Sequence, residues 1–214
     1  FEQLVDGKPT FFWFQRYIGC PPCRMDVHLL SVAHPEFVEK GANIVVVMQS
    51  KPEIVLRDMN GQTLPFHLVC DPTESLYKEL EIGSFDPNNR GEMNEAEQAR
   101  MAVKIQGMKE NGYEHGDYEG NEAQLPAFFA VDGEMNVLEA HYARNLGDMP
   151  FAKEVLEKYC SFMPSEIYLE VNGKEMETQT IDEEELLEED VIVERFTEEA
   201  ETEEVEKEDG TKEL

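Results

Sequence analysis

Residues 10–23, TFFWFQRYIGCPPC, constrain the fold more than any other stretch of the chain. The four bulky apolar residues at 11–14 are typical of a strand buried on both faces inside a parallel sheet. A short polar link follows, and Cys20-Pro21-Pro22-Cys23 then opens a run of helix-forming residues. Proline is tolerated in the first turn of a helix, because its missing N–H has no intrahelical acceptor there. The stretch therefore predicts two thiols side by side where a buried strand passes into a helix.

A pair of cysteines in this context indicates a redox dithiol. We expect Cys20 near the N-cap and Cys23 one turn further, with the Cys20 thiolate reachable by solvent. The helix dipole and the cations of Arg16 and Arg24 would favour that thiolate. Half of a zinc site and an inert structural pair are the alternatives. Zinc usually requires a second ligand pair at similar spacing, and the other two cysteines and the five histidines are scattered.

The two prolines of the motif also bear on its redox character. Pro21 and Pro22 lack the N–H groups that would otherwise donate to a Cys20 thiolate, which leaves chiefly the N–H and thiol of Cys23. We therefore expect the pKa of Cys20 to be lowered less than a helix N-terminus alone would lower it. A less stabilised thiolate makes the pair a reductant rather than a strong oxidant. Cys70 and Cys160, at the ends of apolar segments, are expected to be buried free thiols.

The charge of the chain restricts its partners. The chain has 214 residues with 47 acidic and 18 basic side chains, and residues 165–214 alone hold 21 acidic and 4 basic ones. Such a surface repels phosphate backbones and anionic lipids, so we expect neither nucleic acid nor a membrane surface as a partner. No apolar run reaches about 18 residues, so no membrane span is expected. We also expect no metal and no cofactor.

Hydrophobic patterning predicts the remaining elements in chain order. Pro35 should kink or interrupt the first helix, Ser50 should cap the next helix, and Asp148 should cap the last one. Residues 84–122 are rich in polar residues and are interpreted as an insertion with one helix. Four of its residues could bind a cation: Glu114, His115, Asp117 and Glu119. A solvated acidic loop is the favoured interpretation of this segment. The predicted strands are 44–48, 66–70, 127–131 and 137–142. The predicted helices are 52–60, 94–108 and 150–159, and a further helix, capped by residues 71–74, carries Leu76, Tyr77 and Leu80.

This order of elements resembles the thioredoxin fold, and more closely the peroxiredoxin-like AhpC/TSA family. The blocks that carry the resemblance are RYIGCPPCR at 16–24, VVVMQS at 45–50, FHLVCDPTESLYKELEIGSF at 66–85 and LPAFFAVDGEMNVLEAHYARNLGD at 125–148. The resemblance implies an α/β protein, a three-layer α/β/α sandwich with a mixed central sheet. The predicted domain spans 1–164, with an insertion at about 84–122. Residues 165–214 are expected to be an acidic tail, extended or partly disordered, with weak strand character at 165–172 and a short helical segment at 183–193.

The resemblance also implies roles for individual residues. Cys20 matches the nucleophilic or peroxidatic cysteine, Cys23 the resolving one, and Pro126 the cis-proline that faces the dithiol. Trp13, Tyr17, Arg16 and Arg24 would support the pair.

Three departures from the family pattern bear on the activity. Tyr17 stands where peroxiredoxins have a threonine. Gln124-Leu125-Pro126 carries no arginine before its strand, so Arg16, Arg24 or Arg144 would have to substitute. The buried acid of thioredoxins has no counterpart in residues 11–14, so proton transfer to Cys23 would need water or another group.

The function favoured by these features is that of a thiol–disulfide oxidoreductase that uses Cys20 and Cys23. A thiol peroxidase acting on hydrogen peroxide or alkyl hydroperoxides is the first alternative. A non-catalytic interaction protein acting through its acidic tail is the second. The expected partners are a protein or small-molecule disulfide, or a peroxide, together with an external dithiol reductant. We expect a cytoplasmic location, although Phe1 in place of Met is compatible with a removed leader or a trimmed start. The sequence does not predict an oligomeric state.

Overall fold

The computed structural model of the protein describes residues 2–86 and 92–160. The described strands are β1 (Thr10–Phe14), β2 (Asn43–Met48), β3 (His67–Cys70), β4 (Ala127–Val131) and β5 (Val137–Tyr142). The described helices are α1 (Glu2–Val5), α2 (Pro21–Glu39), α3 (Pro52–Asp58), α4 (Ser75–Glu79), α5 (Glu95–Glu110) and α6 (Ala152–Val155), which continues as a π-helical turn (Leu156–Cys160). The predicted acidic tail, with its possible strand and helix, lies outside the described residues.

The strands form one mixed sheet in the order β3-β2-β1-β4-β5. The first three are parallel, and β4 and β5 run antiparallel to their neighbours. Strand β1 is central, and its Trp13 lies between Val46 of β2 and Phe128 of β4. All five residues of β1 are buried, as expected for a strand covered on both faces. The chain therefore has the predicted thioredoxin-like α/β fold with a mixed central sheet.

The two faces of the sheet bury separate apolar clusters, because side chains alternate along each strand. Phe11 and Trp13 of β1 point into the cluster that contains both cysteines of the motif and the buried face of α2. Phe12 and Phe14 point into the other cluster, together with Tyr77 of α4. The dithiol thus belongs to the layer between the sheet and α2.

Helix α2 runs without interruption from Pro21 to Glu39, so the interruption predicted at Pro35 is wrong. A proline inside a helix removes one backbone hydrogen bond and crowds the preceding turn. The turn after Pro35 is held by Phe37, which is fully buried and packs edge-on against Phe11 and Trp13. Tertiary packing therefore overrides the local penalty of the proline.

The insertion contributes helix α5, which packs on α2. Asn94 caps its N-terminus, and a capping box joins Asn94 to Glu97. The Glu97 carboxylate is buried and accepts hydrogen bonds from Arg144 and Asn145, in the loop after β5. This helix is therefore anchored to the domain by buried polar contacts rather than by an apolar stripe alone.

Two predicted helix caps are corrected by the structure. Ser50 does not cap α3, whose N-cap is Lys51, because the Ser50 hydroxyl instead accepts from the Ile18 N–H and donates to Glu119. Asp148 does not cap the last helix, whose N-cap is Phe151. Its carboxylate accepts from the backbone and the guanidinium of Arg144. Among residues 2–86 and 92–160, no helix has the length and apolar character needed to cross a bilayer.

Candidate active site

The cysteine pair lies at the end of the sheet where the chain passes from β1 to α2. Cys20 is the N-cap residue of α2, in an extended conformation, and the two prolines occupy the first turn as predicted. The Sγ atoms of Cys20 and Cys23 are 2.7 Å apart, and both thiols are free. The spacing of the motif therefore places the two sulfurs in direct contact, in the arrangement from which a disulfide can form.

Arg16 is the cation that reaches this pair. Its Nη2 atom donates to Cys20 Sγ at 2.9 Å, and its Nη1 atom donates to the Glu122 carbonyl oxygen at 2.7 Å. The guanidinium is thereby fixed between the dithiol and the end of the insertion. A cation in contact with a sulfur favours its thiolate.

The two thiols titrate as one coupled pair. The first proton leaves readily. Although burial alone would raise it, the pKa of Cys23 is lowered to about 7 by the hydrogen bond from Cys20 and by the charge of Arg16. The second proton is held: burial, the hydrogen bond to Cys23 and its negative charge raise the pKa of Cys20 well above the usual range. The pair therefore loses its first proton as the pH rises through about 7, and above that value it carries one shared proton and about one negative charge.

The sulfur that carries the charge depends on the position of the shared proton. When the proton lies on Cys20, the thiolate is at Cys23. Transfer across the 2.7 Å contact moves the charge to Cys20, directly against the Arg16 guanidinium. The geometry thus allows Cys20 to act as the nucleophile.

The solvent access expected for Cys20 is absent in this structure. The exposed fraction is 0% for Cys20 and 1% for Cys23. The last part of the insertion, residues 113–122, contacts the residues just before the pair, and we call it the covering segment. Its Gly116 N–H donates to the Gly19 carbonyl at 2.8 Å, next to the motif. A Cβ atom at Gly19 would collide with the Asp117 carbonyl oxygen, so glycine is required for this close approach.

The covering segment is anchored by its acidic residues. Asp117 accepts from Arg57 Nη1 at 2.8 Å. Glu119 accepts from the Ser50 hydroxyl at 2.8 Å and from the Lys51 N–H at 2.9 Å. These carboxylates are therefore hydrogen-bonded to the body of the domain, whereas a solvated loop was predicted. Within the described ranges, no cluster of three or more His, Cys, Asp and Glu side chains could hold a metal ion.

Tyr17 is buried beside the dithiol and faces the covering segment. Its hydroxyl lies 3.3 Å from His115 Nε2, and the His115 ring stacks on Tyr118 with centroids 4.1 Å apart. Burial raises the pKa of Tyr17 to about 12, and the neighbouring cysteine charges act in the same direction. Its phenol is thus neutral at physiological pH and links the motif to the segment that covers it.

The other predicted supporting residues lie further from the sulfurs. Arg24 donates to the Asp58 carbonyl at 2.7 Å and stacks on Tyr113, so its cation is used elsewhere and the predicted contribution to the thiolate is not seen. Trp13 is a core residue whose ring packs against Phe128 at 4.9 Å. Its contribution to the site is packing, because it belongs to the apolar cluster that contains both cysteines.

Pro126 has a peptide bond that differs from the expectation. Among the described residues every peptide bond is trans, so the cis bond predicted before Pro126 is wrong. The residue directly precedes Ala127, which pairs with Phe14 at the end of β1. Pro126 is therefore at the sheet end from which the dithiol loop departs. Its carbonyl accepts from the Ala143 N–H at 3.1 Å, which fixes the start of β4 to β5.

Neither Gln124 nor Arg144 replaces the arginine that peroxiredoxins have before this strand. Gln124 is buried, and its amide donates to the carbonyls of Ile82 and Gly83. Arg144 is held by Asp148 and Glu97, which is a structural role. Arg16 is the one arginine of the three considered that contacts a sulfur of the pair.

A cavity of about 700 Å³ opens beside Arg16 and Tyr17. Much of its wall is apolar. Apolar and aromatic lining residues from the insertion are Phe85, Met93, Met101 and Tyr118, and Leu125 follows the insertion. A volume of this size suits a drug-sized ligand or a short peptide stretch. The cavity therefore offers space beside Arg16, the residue that contacts Cys20, for the body of a substrate larger than hydrogen peroxide.

Sequence reasoning missed two charged residues behind the pair. Asp26 follows Cys23 by three residues and is buried, and Lys104 of α5 reaches it at 2.8 Å. The available signal was a charged residue between the two apolar stripes of a helix buried on two sides. A buried carboxylate therefore does lie near Cys23, supplied by α2 rather than by β1.

The two remaining cysteines are free. Cys70 is half-buried at the end of β3, and Cys160 is buried in the π-helical turn. Burial raises the pKa of both thiols. Raised pKa values disfavour the thiolate at both positions, and no cation is among the described hydrogen-bond partners of either thiol.

Comparison with known proteins identifies a family. The model of the AhpC/TSA family matches residues 1–140, and no curated protein matches the chain. Similar solved structures include peroxiredoxin Q of Xanthomonas campestris, with 16% identity, 74% of this chain and 84% of the other covered, and a TM-score of 0.48. A protein of Chlorobium tepidum assigned as thiol:disulfide interchange protein DsbE has 17% identity, coverage of 72% and 78%, and a TM-score of 0.44. The reduced 2-Cys peroxiredoxin of Plasmodium vivax has 15% identity, coverage of 73% and 71%, and a TM-score of 0.48.

Proposed function

Because the chain belongs to the AhpC/TSA family, and is thus a thiol-dependent oxidoreductase, we propose that it reduces disulfide substrates with the dithiol of Cys20 and Cys23. The observation that carries the proposal is the 2.7 Å contact between two free sulfurs, one of which is bonded to Arg16. Reduction of a disulfide by a dithiol requires one thiolate that attacks the substrate and a second thiol that attacks the resulting mixed disulfide. This pair supplies both.

The first step forms a mixed disulfide. The Cys20 thiolate, with its charge against Arg16, attacks one sulfur of the substrate disulfide. A bond forms between Cys20 Sγ and that sulfur, the substrate S–S bond breaks, and the departing thiolate takes up a proton. The electrophile must approach from outside, so this step requires the covering segment to move away from Gly19.

The second step releases the reduced substrate. Cys23, after losing its own proton, attacks Cys20 Sγ and forms the Cys20–Cys23 disulfide. The mixed disulfide breaks, and the second substrate sulfur leaves as a thiolate that is then protonated. The substrate has gained two electrons and the protein has lost two. An external dithiol restores the reduced pair by the same exchange in reverse.

The cavity beside Arg16 supports a disulfide with an apolar body as the substrate. Its wall contains Met93 and Met101, whose unbranched side chains adapt to differently shaped ligands. Hydrogen peroxide would use little of this space. The cavity therefore favours a substrate whose groups extend beyond the reacting sulfurs.

A thiol peroxidase is the second candidate, favoured by the family and by the contact between Arg16 and Cys20. The thiolate would attack the terminal peroxide oxygen, the O–O bond would break, and the alcohol or water would leave with a proton. Attack of Cys23 on the resulting sulfenic acid would release water and close the same disulfide. Tyr17 in place of threonine and Gln124 in place of arginine weaken this candidate.

The test compares the two activities side by side, as insulin or DTNB reduction and as peroxide consumption. The proposal predicts disulfide reduction that exceeds peroxide consumption and is abolished in Cys20→Ser. Cys70→Ser is the matched control, because it removes a thiol near the same sheet end that takes no part, and it should retain full activity. Peroxide consumption as the main activity would favour the second candidate. Activity retained in Cys20→Ser would exclude Cys20 as the nucleophile.

A further inference from the structure

The insertion places a buried cation behind the dithiol. Lys104 of α5 is 1% exposed, and its Nζ atom lies 2.8 Å from Asp26 Oδ2 and 2.9 Å from the Leu146 carbonyl oxygen. Asp26 belongs to α2, so the ion pair crosses the interface between the inserted helix and the helix that carries the dithiol. The side chain of Asp26 is 9% exposed, so the pair is largely shielded from water.

Asp26 is close enough to Cys23 for its charge to affect the pKa of the thiol. The two residues are three positions apart on α2 and therefore share a face of the helix. The negative charge of Asp26 raises the pKa of Cys23, against the lowering effects of Cys20 and Arg16. Burial raises the pKa of Asp26 itself, and the Lys104 ammonium opposes that shift. The charge state of this carboxylate is thus coupled both to Lys104 and to the dithiol.

Stability alone is a weak reason for such a pair. Bringing two charges out of water costs several kcal/mol per ion, and apolar residues of similar volume often serve the fold as well or better. A buried charge beside a redox thiol has a second consequence, because Coulomb interactions are weakly screened there. An unpaired Asp26 would oppose the formation of a thiolate in the pair.

We propose that Lys104 is a positioning residue of the dithiol: its ammonium neutralises Asp26 behind Cys23, so that the inserted helix α5 keeps the pair able to form its thiolate. The inference rests on the proposed use of the dithiol, but not on which substrate it reduces. The insertion thereby acts on the site from two sides. Its covering segment contacts Gly19 beside the motif, and its helix supplies the ammonium that pairs with Asp26.

The other groups around the pair define what the experiment must keep constant. Arg16 contacts Cys20, and Tyr17 and Tyr77 are the neutral phenols whose pKa values respond to the cysteine charges. None of these residues contacts the Lys104–Asp26 pair through a described hydrogen bond. Substitutions at Lys104 and Asp26 therefore change the field without removing the cation that touches the sulfur.

The test is a pH titration of the ultraviolet thiolate absorbance in the full chain, for Lys104→Met, Asp26→Asn and the double variant. Each is measured against the same protein with both motif cysteines changed to serine, which subtracts Cys70 and Cys160. Lys104→Met leaves Asp26 unpaired and should raise the first pKa of the dithiol by up to about one unit. Burial also favours protonation of the unpaired carboxylate, which limits the size of the shift. Asp26→Asn leaves Lys104 unpaired and should lower the first pKa by about the same amount. The double variant should return close to the wild-type value.

Arg100→Met is the matched control. Arg100 is on the same helix as Lys104 and forms an ion pair with Glu154, 2.6 Å apart, away from the dithiol. This variant removes an anchor of α5 and should leave the thiolate titration unchanged.

Opposite shifts of the first dithiol pKa in Lys104→Met and Asp26→Asn support the proposal. Shifts in the same direction, or no shift in either, overturn it. If Lys104→Met does not fold, the direction of the Asp26→Asn shift decides alone. The readout needs no substrate, so it is independent of the assay for disulfide reduction.

Discussion

The Nη2 atom of Arg16 lies 2.9 Å from the Sγ atom of Cys20. This contact joins the segment after the central strand to the N-terminus of α2. It gives the thiolate a charged hydrogen-bond donor where the two prolines of the motif offer no N–H. Pro21 and Pro22 have no N–H to donate, so a side chain takes over part of the role of the helix terminus. The reactivity of the dithiol therefore depends on one guanidinium, which in turn depends on Glu122 for its orientation.

Replacing Arg16 should reduce the population of thiolate. We expect Arg16→Gln to raise the first pKa of the dithiol by about one unit or more, because the cation in contact with the sulfur is lost. Disulfide reduction at pH 7 should fall by about tenfold for each unit of that shift. The measurement is the ultraviolet thiolate titration together with the rate at pH 7. Arg24→Gln removes an equal charge that contacts Asp58 and Tyr113 instead, and it should leave both values unchanged. An equal effect of the two variants would show that only the overall charge matters.

The pH dependence of the wild-type protein follows from the first proton of the pair. Its pKa is lowered to about 7, so the thiolate forms as the pH rises through that value. The rate of disulfide reduction should increase about tenfold per unit below pH 7 and level off above about pH 8. Initial rates between pH 5 and 9, at saturating reductant, measure the profile. A rate that continues to rise through pH 9, as for an ordinary cysteine, would contradict the assignment.

Loosening the covering segment should expose the dithiol. Asp117→Ala removes the contact with Arg57 that holds residues 113–122 over Gly19. We expect the reduced protein to react with DTNB faster by up to about fivefold, because an exposed ion pair contributes only modestly to the closed state. Glu114→Ala removes an exposed carboxylate from the same segment and serves as the control. If both variants react at the wild-type rate, the ion pair does not limit access.

The uninterrupted helix α2 gives a prediction about stability. Phe37 holds the turn after Pro35 through its contacts with Phe11 and Trp13, so Phe37→Ala should cost about 3–5 kcal/mol of unfolding free energy. Val38→Ala, at a neighbouring exposed position, should change it by less than about 0.5 kcal/mol. Urea unfolding followed by the fluorescence of Trp13 measures both. A cost near that of Val38→Ala would mean that the end of α2 is held by other contacts.

The parts of the fold with strong local signals were predictable from sequence. Strands β4 and β5 have the predicted bounds, and the position of Cys20 at the N-cap followed from the two prolines. Pro35 and Ser50 show the limit of such reasoning. In each case a contact with a residue distant in sequence overrides the local preference: Phe37 packs on Phe11 of the sheet, and Ser50 bonds to Glu119 of the insertion.

The environment of the site was less predictable than its residues. The sequence placed Cys20 and Cys23 together and identified Arg16 as a possible cation, because these residues are close in sequence. It did not show that residues 113–122 lie over Gly19 or that Lys104 reaches Asp26, since those contacts join segments about 80 to 100 positions apart. Such pairings depend on how the insertion packs, which no local pattern specifies.

Trapping the mixed disulfide tests the central claim most directly. Cys23→Ser retains the proposed nucleophile but cannot release the substrate, so incubation with a disulfide substrate should accumulate a covalent adduct. Mass spectrometry of the digested protein should locate that adduct on Cys20. An adduct on Cys70 or Cys160, or none at all, would contradict the account.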